Sequence, residues 1–574
     1  MKIEMAKNSG FCMGVRNAIL KIVDELNSCD ENIYVYGPLI HNPQTVEVLK
    51  KRGLITINSL KEIKNKQIAI RTHGIPVDEN RVIRNEASRT INLTCSRVAR
   101  VQSYIKKYSS NGYFTIIIGD RDHAEVIGLK SYATAGVHVV SEPDDINTLP
   151  RSEKYLIVSQ TTHERNQFEL IVNLIREKHS NVEVIDTICD STRLRQDDVR
   201  EGIARGIDTL VVVGGKNSAN TTRLAKIGTD NGIKTFHIET DEELIAEEFK
   251  NSRYVLVTAG ASTPGWIINN VLEKLYIINN ANSNPVIKVI KKYFEFFVRS
   301  NIISSIASFL MVLIAQKYAG IEPGYKYGII AALFIYVMYT VNNYLDREFL
   351  IKSNSYKYKI YEKSGLYMLI AAIISFFISI YISYSISATM MYLFLVPYLL
   401  GVFYSTPYFK LVIKALGSEL IKKIYNTKIV TGFGWLVVLI LLPYYDRGVD
   451  LITFISMGSV FFTFVFLRQF IIDLVAFQGD LILGRDTLAT SFGAKYAVYI
   501  AYAISLTGVI AFSVVTILSG KFTYLLFLLC IIYYLVLLKK IGKTDYLISL
   551  RYEFLIDANY ILMALLMPFL QIIP

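Results

Sequence analysis

In the stretch Asn8-Ser9-Gly10-Phe11-Cys12-Met13-Gly14-Val15, a cysteine lies in a glycine-containing turn. Two later turns, Thr94-Cys95-Ser96 and Asp186-Thr187-Ile188-Cys189, place further cysteines in polar loops. None of the three belongs to a C-x-x-C pair, so neither a structural zinc site nor a thioredoxin-like motif is supported. Three thiolates from separate loops predict one 4Fe–4S cluster, with one iron left without a protein ligand.

The chain changes character near its middle. Its 574 residues are too many for one compact domain. Up to about Leu275 the sequence reads as a soluble α/β protein. Beyond Val298 it consists of long apolar runs, each long enough to cross about 30 Å of hydrocarbon. We therefore expect a soluble domain followed by a membrane domain.

The net charge of +12 does not indicate nucleic-acid binding, because the basic residues form no single stripe. Much of the excess lies in short loops between apolar runs, where membrane topology places it. No apolar signal segment opens the chain, so we expect the N-terminal half to stay in the cytoplasm, where disulfides are rare. The remaining cysteines, Cys29 and Cys530, are expected to be small buried residues.

The soluble half repeats an apolar run, a polar turn and an amphipathic segment. The runs that we predict as buried parallel strands are residues 33–36, 67–71, 114–118, 155–158, 209–213 and 253–258. This repeat predicts α/β units on parallel sheets. In such sheets ligands gather at the carboxyl ends of the strands, where this sequence keeps histidines, threonines, serines and asparagines.

Three of the seven histidines, His41, His73 and His123, follow predicted strands. A single loop histidine is usually only solvated, but three at equivalent places favour a shared site. Hydrogen-bond donors of the kind that a phosphate requires are also offered by Ser218, Asn220 and Ser262.

Glu125, two residues after His123, is the acidic group in these turns that we nominate as a proton donor. Thr161 and Thr162 follow another predicted strand, and each either caps a helix or contributes to the site.

Taken in order over roughly residues 1–276, these motifs resemble the LytB/IspH family of 4-hydroxy-3-methylbut-2-enyl diphosphate reductases. The resemblance rests on residues 10–15, 39–43, 72–74, 94–95, 123–128, 159–162, 186–189, 213–221 and 261–264. It implies a reductase domain over residues 1–278, built from three α/β modules in a trefoil-like arrangement around a central cleft. Each module would give one cysteine to the cluster.

The resemblance also implies a reaction, a reductive dehydration. Two electrons and two protons would remove the allylic hydroxyl of the small-molecule diphosphate substrate as water, giving isopentenyl and dimethylallyl diphosphate. An electron donor such as ferredoxin or flavodoxin would supply the electrons.

The implied roles are cluster ligation, proton delivery and diphosphate binding. Cluster ligation would fall to Cys12, Cys95 and Cys189. Proton delivery would fall to Glu125, assisted by Thr161. The residues that would bind the diphosphate are His41, His73, His123, Ser218, Asn220 and Ser262. Ser96 stands where the family usually has proline, and Ala219 where it usually has serine. The second change removes one hydrogen bond to phosphate, worth about 1 kcal/mol. We expect reductase activity.

The second half is predicted to be an all-α polytopic membrane domain of about nine transmembrane helices. It would occupy residues 299–574, after a polar linker and basic membrane approach at 279–298. The apolar runs are 301–318, 325–343, 366–384, 388–405, 425–443, 451–471, 496–518, 521–538 and 554–573. Basic residues concentrate in every second loop, so the positive-inside rule predicts a multi-pass protein of the inner or plasma membrane, its reductase domain cytoplasmic.

Two acidic loops fall on the predicted cytoplasmic side, with Asn342 and Asp346 in the first and Asp473 and Asp480 in the second. Carboxylates at span ends can hold a Mg²⁺ that bridges a diphosphate, although ordinary interfacial charges are the simpler interpretation. The arrangement resembles the UbiA superfamily of intramembrane prenyltransferases, which implies prenylation of a lipophilic acceptor.

Three positions depart from the metal-binding motifs of that superfamily: Asn343, Leu350 and Ala476. Either the membrane domain is a prenyltransferase within a bifunctional fusion, or it is a catalytically silent anchor or lipid-binding module. A third hypothesis for the soluble half is an iron–sulfur hydro-lyase without net reduction, which would turn over without a reductant.

Overall fold

The computed structural model describes residues 1–29, 31–281, 285–322, 324–347, 355–404, 429–483, 487–541 and 550–569. The chain forms two compact units, with the boundary between Asn279 and Asn280. The first unit contains every strand found in the described residues, and the second unit is helical.

Twelve strands form three four-stranded sheets in which all pairs are parallel. The strands are β1 (Lys2–Met5), β2 (Ile33–Tyr36), β3 (Leu54–Ile57), β4 (Gln67–Ile70), β5 (Arg89–Asn92), β6 (Phe114–Ile118), β7 (Val137–Val140), β8 (Tyr155–Ser159), β9 (Val182–Val184), β10 (Thr209–Val213), β11 (Lys234–Ile238) and β12 (Tyr254–Ala259). The prediction of α/β modules with parallel sheets is confirmed.

The three sheets share one topology. Their strand orders are β3-β2-β4-β5, β7-β6-β8-β9 and β11-β10-β12-β1. With β1 counted as the fourth strand of the third module, the first and third strands of each module are central, and the second and fourth lie at the edges. The third module is completed by the N-terminal strand β1, in which Lys2 pairs with Tyr254 of β12.

Nine helices cover these sheets. They are α1 (Met13–Ser28), α2 (Pro43–Lys51), α3 (Val77–Glu86), α4 (Ser96–Ser110), α5 (Ala124–Lys130), α6 (Arg165–Lys178), α7 (Asp190–Ala204), α8 (Ala219–Asp230) and α9 (Gly265–Ala281). In the second module, Ile116 and Ile157 pack toward Phe168 on one face, and Ile117 and Leu156 pack toward α4 and α5 on the other. Burial on both faces explains why the central strands are continuously apolar.

The second unit is a bundle of helices. They are α10 (Pro285–Arg299), α11 (Ile302–Tyr318), α12 (Tyr325–Leu345), α13 (Ser355–Tyr384), α14 (Ala388–Tyr404), α15 (Ile429–Leu436), α16 (Leu442–Asp446), α17 (Leu451–Leu483), α18 (Leu488–Phe492), α19 (Ala494–Leu518), α20 (Leu528–Ile541) and α21 (Leu550–Leu566). A π-helical turn, Val437–Leu441, joins α15 to α16, and a 3-10 turn, Phe522–Phe527, precedes α20.

Within the described residues, five helices are long and apolar enough to cross a membrane, and six if the bent pair of α10 and α11 counts as one span. Two shorter apolar helices, Ala388–Phe403 and Thr431–Asp446, add to these. The helices indicate a membrane protein. The prediction of nine spans is not confirmed and stays a prediction, because parts of the runs at 425–443 and 554–573 lie outside the described residues. The predicted linker at 279–298 is largely helical, since α9 ends at Ala281 and α10 begins at Pro285.

Candidate active site

Each predicted cysteine ligand occupies the same place in its module. Cys12, Cys95 and Cys189 come after the edge strands β1, β5 and β9, and each is the N-cap residue of the helix that follows. Each cysteine N–H donates to a carbonyl beyond the neighbouring central strand: Cys12 to Ala261 at 2.9 Å, Cys95 to Thr72 at 2.9 Å and Cys189 to Thr161 at 2.8 Å. Three helix N-termini therefore direct partial positive charge toward the thiols.

The three thiols line one cavity. Gly14 makes room for them, since a Cβ there would lie 2.6 Å from Cys95 Sγ and 3.9 Å from Cys12 Sγ. Burial raises the pKa of Cys95, and the neighbouring cysteines raise it further; the pKa of Cys189 is raised in the same way, by burial and then by Cys12. Bound cations would remove this mutual repulsion between thiolates.

The donor set fits an iron–sulfur cluster. Three half-buried cysteine thiols, one from each module, line one cavity. Cysteine thiolates are the usual protein ligands of such clusters.

The three predicted histidines form a cluster in the same cavity. The ring centroids of His41 and His73 are 4.7 Å apart, and those of His73 and His123 are 5.6 Å apart. One ring nitrogen from each lies within 4.8 Å of the others. Burial lowers the pKa of all three, that of His123 to about 4, so the imidazoles are neutral at pH 7.

Glu125 is almost fully buried in the first turn of α5. Its Oε1 accepts the backbone N–H of Thr161 at 2.7 Å, and its Oε2 accepts the Thr161 hydroxyl at 2.8 Å. Burial raises the pKa of Glu125, and the two bonds from Thr161 oppose that shift. The structure brings this carboxyl to the cavity that the cysteines and histidines line.

The third module supplies the remaining predicted residues, Ser218, Asn220 and Ser262, all buried and all lining the cavity. Ser218 is the N-cap residue of α8, and Ser262 donates its hydroxyl to the carbonyl of His41 at 3.2 Å. Several buried polar atoms facing this cavity have no hydrogen-bond partner: His41 Nε2, His73 Nδ1, and Nδ2 and Oδ1 of Asn220. Buried polar groups are normally paired, so these atoms indicate a polar ligand.

Sequence reasoning missed Arg223, which joins two modules. Arg223 Nη1 donates to the carbonyl of Thr162 at 2.6 Å and to its hydroxyl at 3.1 Å. Its Nη2 donates to both oxygens of Asp120 at 2.8 Å. The residue lies in the first turns of α8, one helical turn after Ser218 and Asn220, and that spacing was the available signal.

Comparison with known proteins agrees with this geometry. A family model described as LytB protein matches residues 3–276. The 4-hydroxy-3-methylbut-2-enyl diphosphate reductase of Geobacter sulfurreducens is 38% identical over 283 residues, which are 49% of this chain and 99% of that protein. The chain belongs to the LytB family. The predicted membership is confirmed, and so is the prediction of an oxidoreductase.

Other LytB relatives cover the same half. The reductase of Clostridioides difficile is 36% identical over 275 residues, 47% of this chain and 98% of that protein. A solved structure of (E)-4-hydroxy-3-methyl-but-2-enyl diphosphate reductase is 37% identical, with a TM-score of 0.39, and covers 48% of this chain and 100% of its own. A solved structure of a UbiA homolog from Archaeoglobus fulgidus, bound to GPP and Mg²⁺, is 14% identical, with a TM-score of 0.34. The match covers 48% of this chain and 98% of that homolog.

The acidic positions predicted in the second half of this LytB-family chain lie on two helices. Asn342 is near the end of α12 and Asp346 is its C-cap residue, whereas Asp473 and Asp480 are buried on α17. Among the described residues, the group of side chains that could hold a metal ion does not include Asp346, Asp473 or Asp480. The Mg²⁺ site stays a prediction, and Leu350 lies outside the described residues.

The side chain of Asn343, one of the three departures noted in the sequence, has hydrogen-bond partners elsewhere in the helical unit. The side chain of Asn343 donates to the Tyr361 hydroxyl at 3.1 Å and to Asn301 Oδ1 at 3.4 Å. Asn301 also donates to the Tyr361 hydroxyl, at 2.9 Å. An aspartate at position 343 would lose both donated bonds, so this asparagine connects helices instead of offering a carboxylate to a metal.

Proposed function

We propose that the first half of the chain reductively dehydrates 4-hydroxy-3-methylbut-2-enyl diphosphate to isopentenyl and dimethylallyl diphosphate. One observation carries the proposal: a single cavity is lined by the three cysteines, the three histidines, Glu125 and Thr161. The names of relatives that are up to 38% identical over nearly their whole length support the same reaction.

Cys12, Cys95 and Cys189 would hold a 4Fe–4S cluster, which when bound supplies single-electron transfer and an open iron position for the substrate hydroxyl. The chain itself excludes water around this position. Ile40 and Val15 line the cavity between the polar groups, and both are buried. In such a cavity, charges and dipoles of the protein act more strongly than in water.

Glu125 holds the proton that leaves with the hydroxyl. Its raised pKa favours the protonated carboxyl, and Thr161 fixes both of its oxygens. Two electrons and two protons are consumed, the C–O bond breaks, and the hydroxyl departs as water. The buried position of Glu125 keeps the proton from exchanging freely with solvent.

The diphosphate is proposed to bind the neutral donors at the carboxyl ends of the central strands. His41, His73 and Asn220 offer buried atoms that have no protein partner. The N-termini of α2 and α8 add backbone N–H groups and favourable dipoles. Neutral imidazoles can each donate one N–H, and protonation on binding would add charge to the hydrogen bond.

The electrons are proposed to come from a small acidic carrier such as ferredoxin or flavodoxin. Met13, directly after Cys12, is 72% exposed. Arg97, two residues after Cys95, and Arg193, four after Cys189, are both partly exposed and both approach Asp190, at 2.5 and 3.8 Å. An exposed apolar residue next to Cys12, and arginines within four residues of Cys95 and Cys189, suit an acidic partner.

The reductase proposal is tested by anaerobic purification in detergent, followed by iron analysis, EPR and turnover with a viologen reductant. The parent is compared with Cys12→Ser, Cys95→Ser and Cys189→Ser, and with Cys29→Ser as the matched control. Loss of the EPR signal and of turnover in the first three variants only supports the proposal. Turnover without any reductant would support a hydro-lyase instead, and a parent without iron would overturn the cluster.

For the second half we propose prenyl transfer to a lipophilic acceptor at a Mg²⁺ site that includes Asn342, Asp346, Asp473 and Asp480. The competing proposal is an anchor, supported by the hydrogen bonds that occupy Asn343 and by Ala476. Prenyl transfer is measured in detergent with Mg²⁺, comparing Asp346→Asn and Asp480→Asn with the parent. Activity in the parent that is lost in both variants supports the enzyme, and no activity in the parent supports the anchor.

A further inference from the structure

The helix Pro285–Arg299 (α10) has one strongly apolar side that is largely exposed. Large apolar side chains are exposed along it at helical spacing: Val286, Val289, Ile290, Tyr293 and Phe297. Tyr293 and Ile290 are each 61% exposed, and Phe297 is 43% exposed. Between them the sequence places Lys288, Lys291, Lys292, Glu295 and Arg299, which fall on the other side of an ideal helix.

The last turns of α10 hold this helix to the bundle. Arg299 is only 2% exposed, and it donates to Glu553 Oε2 at 3.1 Å and to Glu295. Val298 is buried, and Phe294 contacts Phe554 with ring centroids 5.2 Å apart. Lys292 on the charged side is exposed, so the bundle does not cover that side along the whole helix. A helix on a water-soluble protein turns its apolar side inward, whereas α10 leaves that side exposed.

The direction of α10 differs from that of the helix that follows. Residues Lys292–Arg299 and Ile302–Tyr318 meet at an angle of 61°. The break occurs at Asn301, whose φ of 67° is left-handed and interrupts the helix. Ile302–Tyr318 is apolar but has only 17 residues, and it is long enough for a membrane span only together with α10. The chain therefore bends sharply where it meets the membrane domain.

We propose that α10 lies in the boundary layer of the bilayer, with Val286, Val289, Ile290, Tyr293 and Phe297 toward the acyl chains. Helices with a wide apolar side, aromatic residues and lysines on the other side bind at this depth. The exposed Lys292 would contact anionic headgroups. This inference rests on the proposed insertion of the second half into a membrane, and the occupant is lipid, not a protein partner.

The test places a tryptophan on α10 in the full chain, reconstituted in vesicles of phosphatidylcholine and phosphatidylglycerol. The phosphatidylcholine carries bromine, a quencher, either near the carbonyl end or near the methyl end of its acyl chains. Tyr293→Trp and Phe297→Trp are aromatic exchanges at exposed positions, so folding is preserved. Lys292→Trp is the matched control on the charged side, and Phe377→Trp, at an exposed position on α13, reports insertion itself. The emission of the parent, which contains Trp266 and Trp435, is subtracted.

We expect the added emission of Tyr293→Trp and Phe297→Trp to be quenched more by bromine near the carbonyl end than near the methyl end. Lys292→Trp should be quenched less than either. If Phe377→Trp is quenched while Tyr293→Trp and Phe297→Trp are not, the second half is inserted but α10 is covered by protein, and the proposal is overturned. If no position is quenched, insertion fails, and the proposal fails with it.

Discussion

Both carboxylate oxygens of Glu125 accept hydrogen bonds from a single residue, Thr161: the backbone N–H at 2.7 Å and the hydroxyl at 2.8 Å. Glu125 begins α5, and Thr161 follows the central strand β8 of the same module. The backbone carbonyl of Thr161 in turn accepts the N–H of Cys189 at 2.8 Å. Thr161 therefore links the proposed proton donor, Glu125, to one proposed cluster ligand, Cys189.

Glu125→Gln should lose activity and keep the fold. Removing a positioned general acid costs about 10²–10⁴ in rate. Glutamine retains the acceptor for Thr161 but has no acidic proton. The measurement is the single-turnover rate of dehydration with a reduced, fully loaded protein. Turnover within a factor of a few of the parent would mean that another group delivers the proton.

Acid should destabilise the ligand-free protein through the histidine cluster. Burial lowers the pKa of His123 from its usual 6.5 to about 4. The unfolded chain therefore takes up a proton before the folded protein does, and stability falls as pH drops from about 6.5 toward about 4. The full effect of this one residue is up to about 3 kcal/mol.

The measurement is urea unfolding between pH 7 and pH 5, with inorganic pyrophosphate as the probe ligand. His123→Asn should flatten the profile, whereas substitution of the partly exposed His179 should not. Pyrophosphate should restore stability at pH 5 in the parent, because it favours the charged imidazoles. A profile that is unchanged in His123→Asn would contradict the assignment.

Arg223 should act as a positioning residue for the proton donor. Its guanidinium holds the Thr162 carbonyl and both oxygens of Asp120, and its charge lowers the pKa of Glu125 and His123. Arg223→Gln should lower kcat about tenfold or more, since hydrogen bonds to charged groups contribute about 1.5–3 kcal/mol.

The variants Arg223→Gln and Arg223→Lys separate charge from geometry. Gln removes the charge, so the pH at which activity declines should move upward with the pKa of Glu125. Lys keeps the charge, so the pH at which activity declines should stay the same while kcat falls. Arg165→Lys, in the exposed pair with Glu169 at 2.8 Å, is the matched control. If both Arg223 variants have the same pH profile, the charge of Arg223 does not act on Glu125, and the role of Arg223 is purely structural.

The sequence patterns found the centre of each sheet and not its edges. The predicted strands correspond to β2, β4, β6, β8, β10 and β12, which are the six central strands. Those strands are covered by helices on both faces, so they read as uninterrupted apolar runs, for example Thr209–Val213, every residue of which is buried. Edge strands such as Arg89–Asn92 are partly exposed and carry too little apolar signal.

The candidate site was largely predictable because its residues follow strands or precede helices. His41, His123 and Ser218 come after the first strand of their modules, and Cys95, Cys189 and Cys12 after the fourth. The position of Arg223 soon after Ser218 and Asn220 was a signal, but the role of this residue depends on contacts in another module, more than 60 residues away in sequence. At Asn343 the sequence shows only a departure from a metal-binding motif, and the structure adds hydrogen-bond partners on other helices.

Gly14→Ala should reduce the cluster content of the protein. The added methyl group would approach Cys95 Sγ to 2.6 Å, and Cys95 is the N-cap residue of α4. We expect less iron per chain and a weaker EPR signal, together with a matching loss of turnover. Asn17→Ala, an exposed position on the same helix, is the control. Full iron content in Gly14→Ala would show that the thiols have room to move.

The ion pair between Arg468 and Asp557 should dominate the stability of the helical unit. Arg468 Nη2 lies 2.7 Å from Asp557 Oδ1, and the same nitrogen donates to the Ser304 hydroxyl at 2.9 Å. Both charged side chains are less than 10% exposed, and they connect α17, α21 and α11. Charges inside a membrane protein are tolerated when they are paired in this way.

Asp557→Asn should therefore lower the thermal midpoint in detergent strongly, because the Arg468 charge stays buried without its counter-charge, at a cost of about 3–5 kcal/mol. Replacing both residues, as Arg468→Met with Asp557→Leu, should recover most of that loss, since no charge remains to be desolvated. Arg447→Met, in the half-exposed pair with Asp446 at 3.6 Å, should shift the midpoint little. A double variant as unstable as Asp557→Asn would show that the helices need the hydrogen bonds of this pair and not only its neutrality.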